Sequence, residues 1–125
     1  MRFTHLTTAT LALSLVATSM VFAHEAAKGR NGGLRVDAGP YHTELLVDGT
    51  ATVAVFLSDA QDKPIAATGF KGTAILVING KSQRFDLQPV DGLKLVGTAP
   101  GPVKVGVKGA IQLTAPDGST TQGKF

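Results

Sequence analysis

Short segments of alternating apolar and polar residues, separated by glycine, proline and aspartate, run through the chain from residue 34 onward. Clear examples are Tyr41–Val47, Ala51–Ser58 and Gln83–Gln88, while Thr73–Ile78 is a short apolar run of the kind found in buried strands. No window of eleven or more residues in this part has helical periodicity. The pattern predicts an all-β domain over residues 34–125, an immunoglobulin-like antiparallel β-sandwich of about seven to eight short strands.

Two dipeptides mark tight turns in this pattern. Asp48-Gly49 separates the segments that begin at Tyr41 and end at Ser58, and Asn79-Gly80 follows the apolar run. Both dipeptides favour the positive φ values of a short hairpin turn. Further along, Val103–Lys108 places three valines on one side and two lysines on the other, which predicts another strand.

The N-terminal part has a different character. Residues 1–23 combine a short basic start, an uncharged run rich in Leu, Ala, Val and Thr, and the small-residue pattern Val21-Phe22-Ala23, which together predict a cleavable signal peptide. Cleavage after Ala23 makes His24 the first residue of the exported protein and leaves no membrane anchor. Residues 24–33 are polar and rich in Gly and Ala, and we expect them to form a flexible arm.

Composition restricts the possible chemistry. The chain has no cysteine, which excludes disulfides, thiolate metal sites and a lipoprotein anchor. Its net charge of +3 comes from singly spread basic residues without interleaved aromatics, so nucleic acid is not an expected partner. The three serines after the signal peptide do not lie in a nucleophile elbow, and no Gly-rich loop joins a strand to a helix. We therefore expect a protein that is not an enzyme.

The two histidines after the predicted signal peptide suggest a metal site. An N-terminal His24 could chelate a metal through its α-amine and its ring, and His42 could add a second imidazole. Glu44, two residues further along the same strand face, or Asp37 could supply an oxygen. A nitrogen-rich ligand set suits Cu(II), so the predicted metal residues are His24, His42, Glu44 and Asp37, with Cu(II) as the ion.

The same residues also have a structural interpretation. His24 can be simply the residue that follows the cleavage site. His42 can be a surface histidine on an edge strand that pairs with Glu44, without any metal.

Several short segments occur in a characteristic order, namely His24, Gly32-Gly33, Gly39–Leu45, Val55–Asp59 and Lys63–Ile65. In these segments the chain resembles small exported proteins of Gram-negative bacteria and the start of periplasmic adaptor subunits of heavy-metal efflux pumps. More distantly, the architecture resembles the immunoglobulin-like copper-resistance proteins of the CopC type. These resemblances imply a periplasmic location, metal handling and a Cu(II) site with an N-terminal histidine. Both methionines, Met1 and Met20, lie in the predicted signal peptide, so a methionine-rich Cu(I) site is not implied.

The sequence therefore predicts a preferred function and an alternative. The first is a periplasmic carrier or buffer for a metal, with Cu(II) preferred, in metal handling or resistance. The alternative is a non-catalytic module that docks on an envelope or efflux protein through an exposed strand edge and binds no metal.

Overall fold

The computed structural model describes residues 26–125, which form ten strands and no helix. The predicted signal peptide and His24 lie outside the described residues. The strands are β1 (Ala27–Lys28), β2 (Leu34–Ala38), β3 (Tyr41–Val47), β4 (Thr52–Asp59), β5 (Pro64–Ile65), β6 (Lys71–Ile78), β7 (Lys81–Val90), β8 (Lys94–Thr98), β9 (Gly109–Thr114) and β10 (Thr120–Lys124).

All strand pairs are antiparallel and belong to one curled sheet. Its order is β1-β2-β3-β4-β8-β7-β6-β9-β10, with β5 paired to β4. The long strand β7 joins the two halves, because its first part, Lys81–Leu87, pairs with β6 and its last three residues pair with β8. The curl brings β10 against β2. Glycine is required at this closure, since a Cβ on Gly123 would lie 2.5 Å from the Thr43 hydroxyl oxygen.

The inner face of the curl holds the hydrophobic core. Its fully buried side chains come from both halves of the sheet and include Val53, Val55, Leu76, Leu87, Leu95, Ile111 and Leu113. Tyr41 extends this core and meets Phe70 edge to face, with ring centroids 5.4 Å apart.

The predicted all-β, antiparallel class is confirmed. The immunoglobulin-like sandwich stays a prediction, because backbone pairing runs continuously through β7 and does not separate two sheets. The strand predicted over Val103–Lys108 is wrong. Val103 is buried and exchanges backbone hydrogen bonds with the β3–β4 turn, whereas Val105 is 83% exposed beside Gly106, whose φ is +89°.

The hairpin predicted between Tyr41 and Ser58 is confirmed as β3 and β4. The strands pair from Tyr41 opposite Asp59 to Val47 opposite Val53, and Gly49 has a φ of +88° in the turn. The Asp48 carboxylate accepts a hydrogen bond from the Thr50 amide, 3.1 Å away, which closes the turn locally. Because Tyr41 and Leu45 face the core, His42 and Glu44 lie on the outer face of the sheet.

Candidate functional site

Strand register gathers polar side chains on the outer face of β2, β3 and β4. Asp37 lies opposite His42 and Arg35 lies opposite Glu44 across the β2–β3 pair. Residues directly opposite each other on antiparallel strands share a face and are close neighbours. The four side chains therefore form one patch, although His42 and Glu44 then take different partners within it.

His42 is held between two carboxylates. Its Nδ1 lies 2.6 Å from Asp62 Oδ1, and its Nε2 lies 3.1 Å from Asp37 Oδ1. The imidazole is 10% exposed, whereas the Asp37 and Asp62 side chains are 45% and 46% exposed. His42 is thus neither a surface histidine nor a partner of Glu44, in contrast to the structural interpretation of the sequence.

An imidazole between two carboxylates can satisfy both of them only if each ring nitrogen carries a proton or a metal ion. A neutral imidazole carries a proton on only one nitrogen, so its other nitrogen presents a lone pair. When the Nδ1 N–H donates in the shorter contact, to Asp62, the Nε2 lone pair of a neutral ring faces the Asp37 carboxylate. A cation at Nε2, either a proton or a metal ion, removes this conflict.

Asp62 reaches His42 from the turn between β4 and β5. Asp59 shapes this turn by accepting hydrogen bonds from the amides of Gln61 and Lys63, 2.8 and 2.9 Å away. Asp62 itself has a φ of +62°. Its carboxylate bonds His42 and Arg35, and Arg30 donates to its backbone carbonyl. The turn is therefore fixed over the outer face with the carboxylate directed at the imidazole.

These contacts keep Asp62 ionised. The hydrogen bond from His42 lowers its pKa most; partial desolvation opposes this, and the charge of Arg35 lowers the pKa further. An ionised Asp62 holds the ring with Nδ1 as the donor. This is the arrangement in which metal-binding histidines are commonly oriented by a carboxylate on their other nitrogen.

The lowered pKa predicts how Asp62 contributes to stability as the pH changes. A depressed carboxyl pKa stabilises the fold above the unfolded value of about 3.9, and this contribution is lost as the pH falls through the folded pKa. We expect wild type to be more stable than Asp62→Asn at pH 7, with the difference shrinking below pH ~4. Chemical denaturation of both proteins from pH 7 to pH 2.5 measures it.

The two proteins of this comparison share all other acids. Asp48 and Asp117 also have lowered pKa values, through hydrogen bonds from Thr50 and Ser119, and their effects cancel in the difference. A constant difference over the whole pH range would contradict the role assigned to Asp62.

Glu44 does not join the His42 cluster. Its carboxylate accepts hydrogen bonds from the Asn31 amide (2.9 Å), the Asn31 side-chain amide (3.1 Å) and the Gly33 amide (2.8 Å). Glu44 is buried by these contacts, and a Cβ on Gly29 would overlap its carboxylate carbon. Glu44 is therefore an anchor for the segment before β2 and is not positioned to complete a metal site.

The segment anchored by Glu44 includes most of the predicted N-terminal arm. The sequence predicts flexibility over 24–33; in the structure Ala27–Lys28 form β1 at the sheet edge, with Ala27 opposite Arg35 and Lys28 opposite Leu34. The Gly29 amide also bonds the Gly33 carbonyl across the turn, 2.8 Å away. Because β1 runs antiparallel to β2, the chain approaches β1 from the side on which Asp37 lies.

The structure places the four predicted metal ligands differently. The structure brings Asp37 and His42 together, assigns Glu44 to another role, and does not describe His24. Within residues 26–125 no group of three or more histidine or acidic side chains is arranged to hold a metal ion. The described part of the chain therefore offers two candidate ligand atoms, His42 Nε2 and an Asp37 oxygen.

Comparison with known proteins gives no family assignment, because no protein-family model, curated protein or solved structure matches this chain. The resemblance to efflux adaptor subunits and to copper-resistance proteins therefore stays a prediction. Residues 26–125 contain no helix that is long and apolar enough to cross a membrane.

Proposed function

We propose that this protein is an exported metal carrier or buffer that binds one Cu(II) ion through His24, His42 and Asp37. The observation that carries the proposal is the His42 ring, whose Nδ1 is bound by Asp62 while its Nε2 lies beside the Asp37 carboxylate. Asp62 orients the ring, and Arg35 holds Asp62. Export to the periplasm, removal of residues 1–23 and an immunoglobulin-like relationship of the fold belong to the same proposal.

The spacing of the two candidate ligand atoms supports it. Ligands at about 2.0–2.1 Å from one ion and at right angles to each other lie roughly 2.9 Å apart. His42 Nε2 and Asp37 Oδ1 lie 3.1 Å apart. A metal ion can therefore contact both atoms with small side-chain movements.

The chain direction supports a contribution from His24. Ala27 pairs with Arg35 on β2, and the chain enters β1 from the Asp37 end of that strand. Residue 24 is two positions before Ala26, a tether of at most about 7 Å. An N-terminal histidine would add its ring and its α-amine, whose reference pKa of about 7.7–8.0 lets a metal displace the proton near neutral pH.

The donor set favours Cu(II) over other ions. Three nitrogen donors and one carboxylate suit an ion with tetragonal preference, and Cu(II) has the highest affinity among divalent first-row ions. Asp62 holds one nitrogen of the His42 ring, and the four proposed donors fill the four positions of a tetragonal ion, so we propose carriage or buffering and not catalysis.

Blocking the N-terminal amine tests the proposal directly. We expect the exported protein, with His24 confirmed as residue one by mass spectrometry, to bind one equivalent of Cu(II). A matched protein acetylated at the α-amine of His24 keeps every side chain but loses the amine donor, and we expect it to bind at least tenfold more weakly. Competition titration with a chromogenic chelator measures both. Equal affinities would contradict a ligand role for the α-amine.

A second candidate function is suggested by an exposed apolar patch at the 103–108 loop. Val105 is 83% exposed, Val77 is 47% exposed and Leu34 is 36% exposed, and two small grooves meet at Val105. Contiguous apolar surface of this kind often marks an interaction site. Lys104 and Lys108 flank the patch, so the fitting partner is an envelope protein with an apolar pocket rimmed by carboxylates.

In-cell photo-crosslinking separates this candidate from metal carriage. With a crosslinker at position 105, we expect an adduct of defined mass that is absent with the crosslinker at Lys81. The adduct should disappear in a Lys104→Glu, Lys108→Glu double variant. An adduct that persists after charge reversal, or no adduct at all, would exclude docking through this patch.

A further inference from the structure

A groove of about 500 Å³ lies on the outer face of the sheet, beside the His42 cluster. Its walls come from the segment before β2, from β4, from the β4–β5 turn and from the β7–β8 turn. The side chains that define its character are Arg30, Arg35, Phe56, Ser58, Pro64 and Leu93. Its volume lies within the range of about 300–1,000 Å³ that is typical of small-molecule sites.

The floor and one wall of the groove are apolar. Phe56 is half-buried on β4, and Pro64 begins β5 beside it. Leu93, in the β7–β8 turn, is 68% exposed and lines the same groove. A large exposed leucine next to an aromatic ring gives the groove an apolar surface that a ligand could cover.

The rim of the groove carries positive charge. Arg30 donates one hydrogen bond, to the Asp62 carbonyl at 3.3 Å, and Arg35 bonds the Asp62 carboxylate. A guanidinium has five N–H donors, so both arginines keep donor capacity for a ligand. The Lys94 ammonium lies 5.8 Å from the Phe56 ring centroid and adds a third cation.

The two carboxylates at the groove already have hydrogen-bond partners. Glu44 accepts hydrogen bonds from Asn31 and Gly33, and Asp62 is paired with His42 and Arg35. Arg30, in contrast, contacts a carbonyl and not a carboxylate in the described contacts. With Lys94 included, three cations at the groove face two carboxylates, so the net charge around it is positive.

We propose that this groove binds a small organic carboxylate with an apolar body. The carboxylate accepts hydrogen bonds from Arg30 and Arg35, and the apolar body covers Phe56 and Leu93. Planar guanidinium groups recognise carboxylates with particular geometric specificity. The binding requires no metal and uses neither His42 nitrogen, so it is separate from the proposed Cu(II) site.

Octanoate is a suitable probe, because it combines the two required features. We titrate the metal-free protein with octanoate, with acetate, which lacks the apolar body, and with octylammonium, which has the opposite charge. We expect saturable amide shifts at Arg30, Phe56 and Leu93 with octanoate, and at least tenfold weaker binding of the other two. Octylammonium binding as well as octanoate, or shifts centred elsewhere, would overturn the proposal.

Two exposed residues allow variants that leave the core untouched. Arg30→Gln removes a charged donor, and we expect it to weaken octanoate binding about tenfold, in line with ~1.4 kcal/mol for each tenfold change. Leu93→Ser should weaken octanoate binding and leave acetate binding unchanged. Lys81→Gln, on the opposite half of the sheet, is the control for a general loss of positive charge. Equal octanoate affinity in Arg30→Gln and Lys81→Gln would overturn the assignment. Because the metal-free protein is used, the outcome does not depend on the proposed copper function.

Discussion

Replacing His42 by glutamine is expected to weaken Cu(II) binding by about two orders of magnitude or more. Loss of a residue that only orients a metal ligand typically costs about 10–100-fold in affinity, and His42 is proposed as a ligand itself. Glutamine can keep a hydrogen bond to Asp62 through its amide but lacks the imidazole nitrogen that lies beside Asp37. Competition titration with a chromogenic chelator measures the loss.

Two further variants make this result interpretable. Asp62→Asn removes the group that orients the ring, and we expect a smaller loss, about 10–100-fold. Lys81→Gln removes one charge far from the cluster and should leave Cu(II) affinity unchanged. If His42→Gln and Lys81→Gln bind Cu(II) equally well, His42 is not a ligand, and its role is to tie the β4–β5 turn to the sheet.

Replacing Glu44 by alanine is expected to lower the free energy of unfolding by about 2–4 kcal/mol. The carboxylate accepts hydrogen bonds from two backbone amides and from the Asn31 side chain. A hydrogen bond to a charged group contributes roughly 1.5–3 kcal/mol, and water can solvate the freed amides of exposed Asn31 and half-buried Gly33, which limits the net loss. Chemical denaturation measures the change, and hydrogen exchange at the Asn31 and Gly33 amides locates it.

Three variants calibrate this result. Glu44→Gln keeps an acceptor and should lose less stability than Glu44→Ala. Asp86→Ala removes an exposed acid on β7 and should change stability by less than about 0.5 kcal/mol. Gly29→Ala should speed exchange at the same two amides, because its Cβ would overlap the Glu44 side chain. Unchanged exchange in both Glu44 variants would contradict the anchoring role.

The anchor and the proposed metal site are linked through the chain. Glu44 holds the turn that connects β1 to β2, and β1 is the first described strand after residue 24. If His24 is a ligand, releasing this turn raises the entropy that must be lost when the ion is bound. We therefore expect Glu44→Ala to weaken Cu(II) binding as well, although Glu44 contacts no ion.

Local signals in the sequence predict much of the fold. The hairpin of β3 and β4 follows from alternation and from Asp48-Gly49, and the β6–β7 turn follows from Asn79-Gly80, whose φ values of +51° and +76° are both positive. Each of these features depends on residues that are close in the sequence. The continuous pairing through β7 depends on two partners of one strand and has no local signature.

The alternation of apolar and polar residues predicts the wrong structure where tertiary contacts determine the backbone. The valines around Lys104 have the period of a strand, but Val103 bonds the β3–β4 turn while Val105 is left in solvent. The polar segment before Gly33 has no period at all, yet Ala27–Lys28 pair with β2, and the Glu44 carboxylate, more than ten residues away, binds Asn31 and Gly33.

In the candidate site, too, some residues have a local signal in the sequence and others are set by tertiary contacts. His42 stands out because the chain has so few histidines, and Asp37 can be chosen because a short strand precedes the hairpin. Asp62 was missed, since it is twenty residues from His42 and lies in a turn rich in polar residues. The structure gives Asp62 a positive φ, which is unusual for a residue other than glycine. The sequence does not reveal this conformation, because an aspartate can adopt many φ values.

Pulsed electron paramagnetic resonance of the exported protein loaded with one equivalent of Cu(II) tests the central proposal most directly. The spectrum distinguishes one coordinated imidazole from two. We predict two imidazoles in wild type, assigned to His24 and His42, and one in His42→Gln. A wild-type spectrum with a single imidazole that is unchanged in His42→Gln would contradict the proposed metal site.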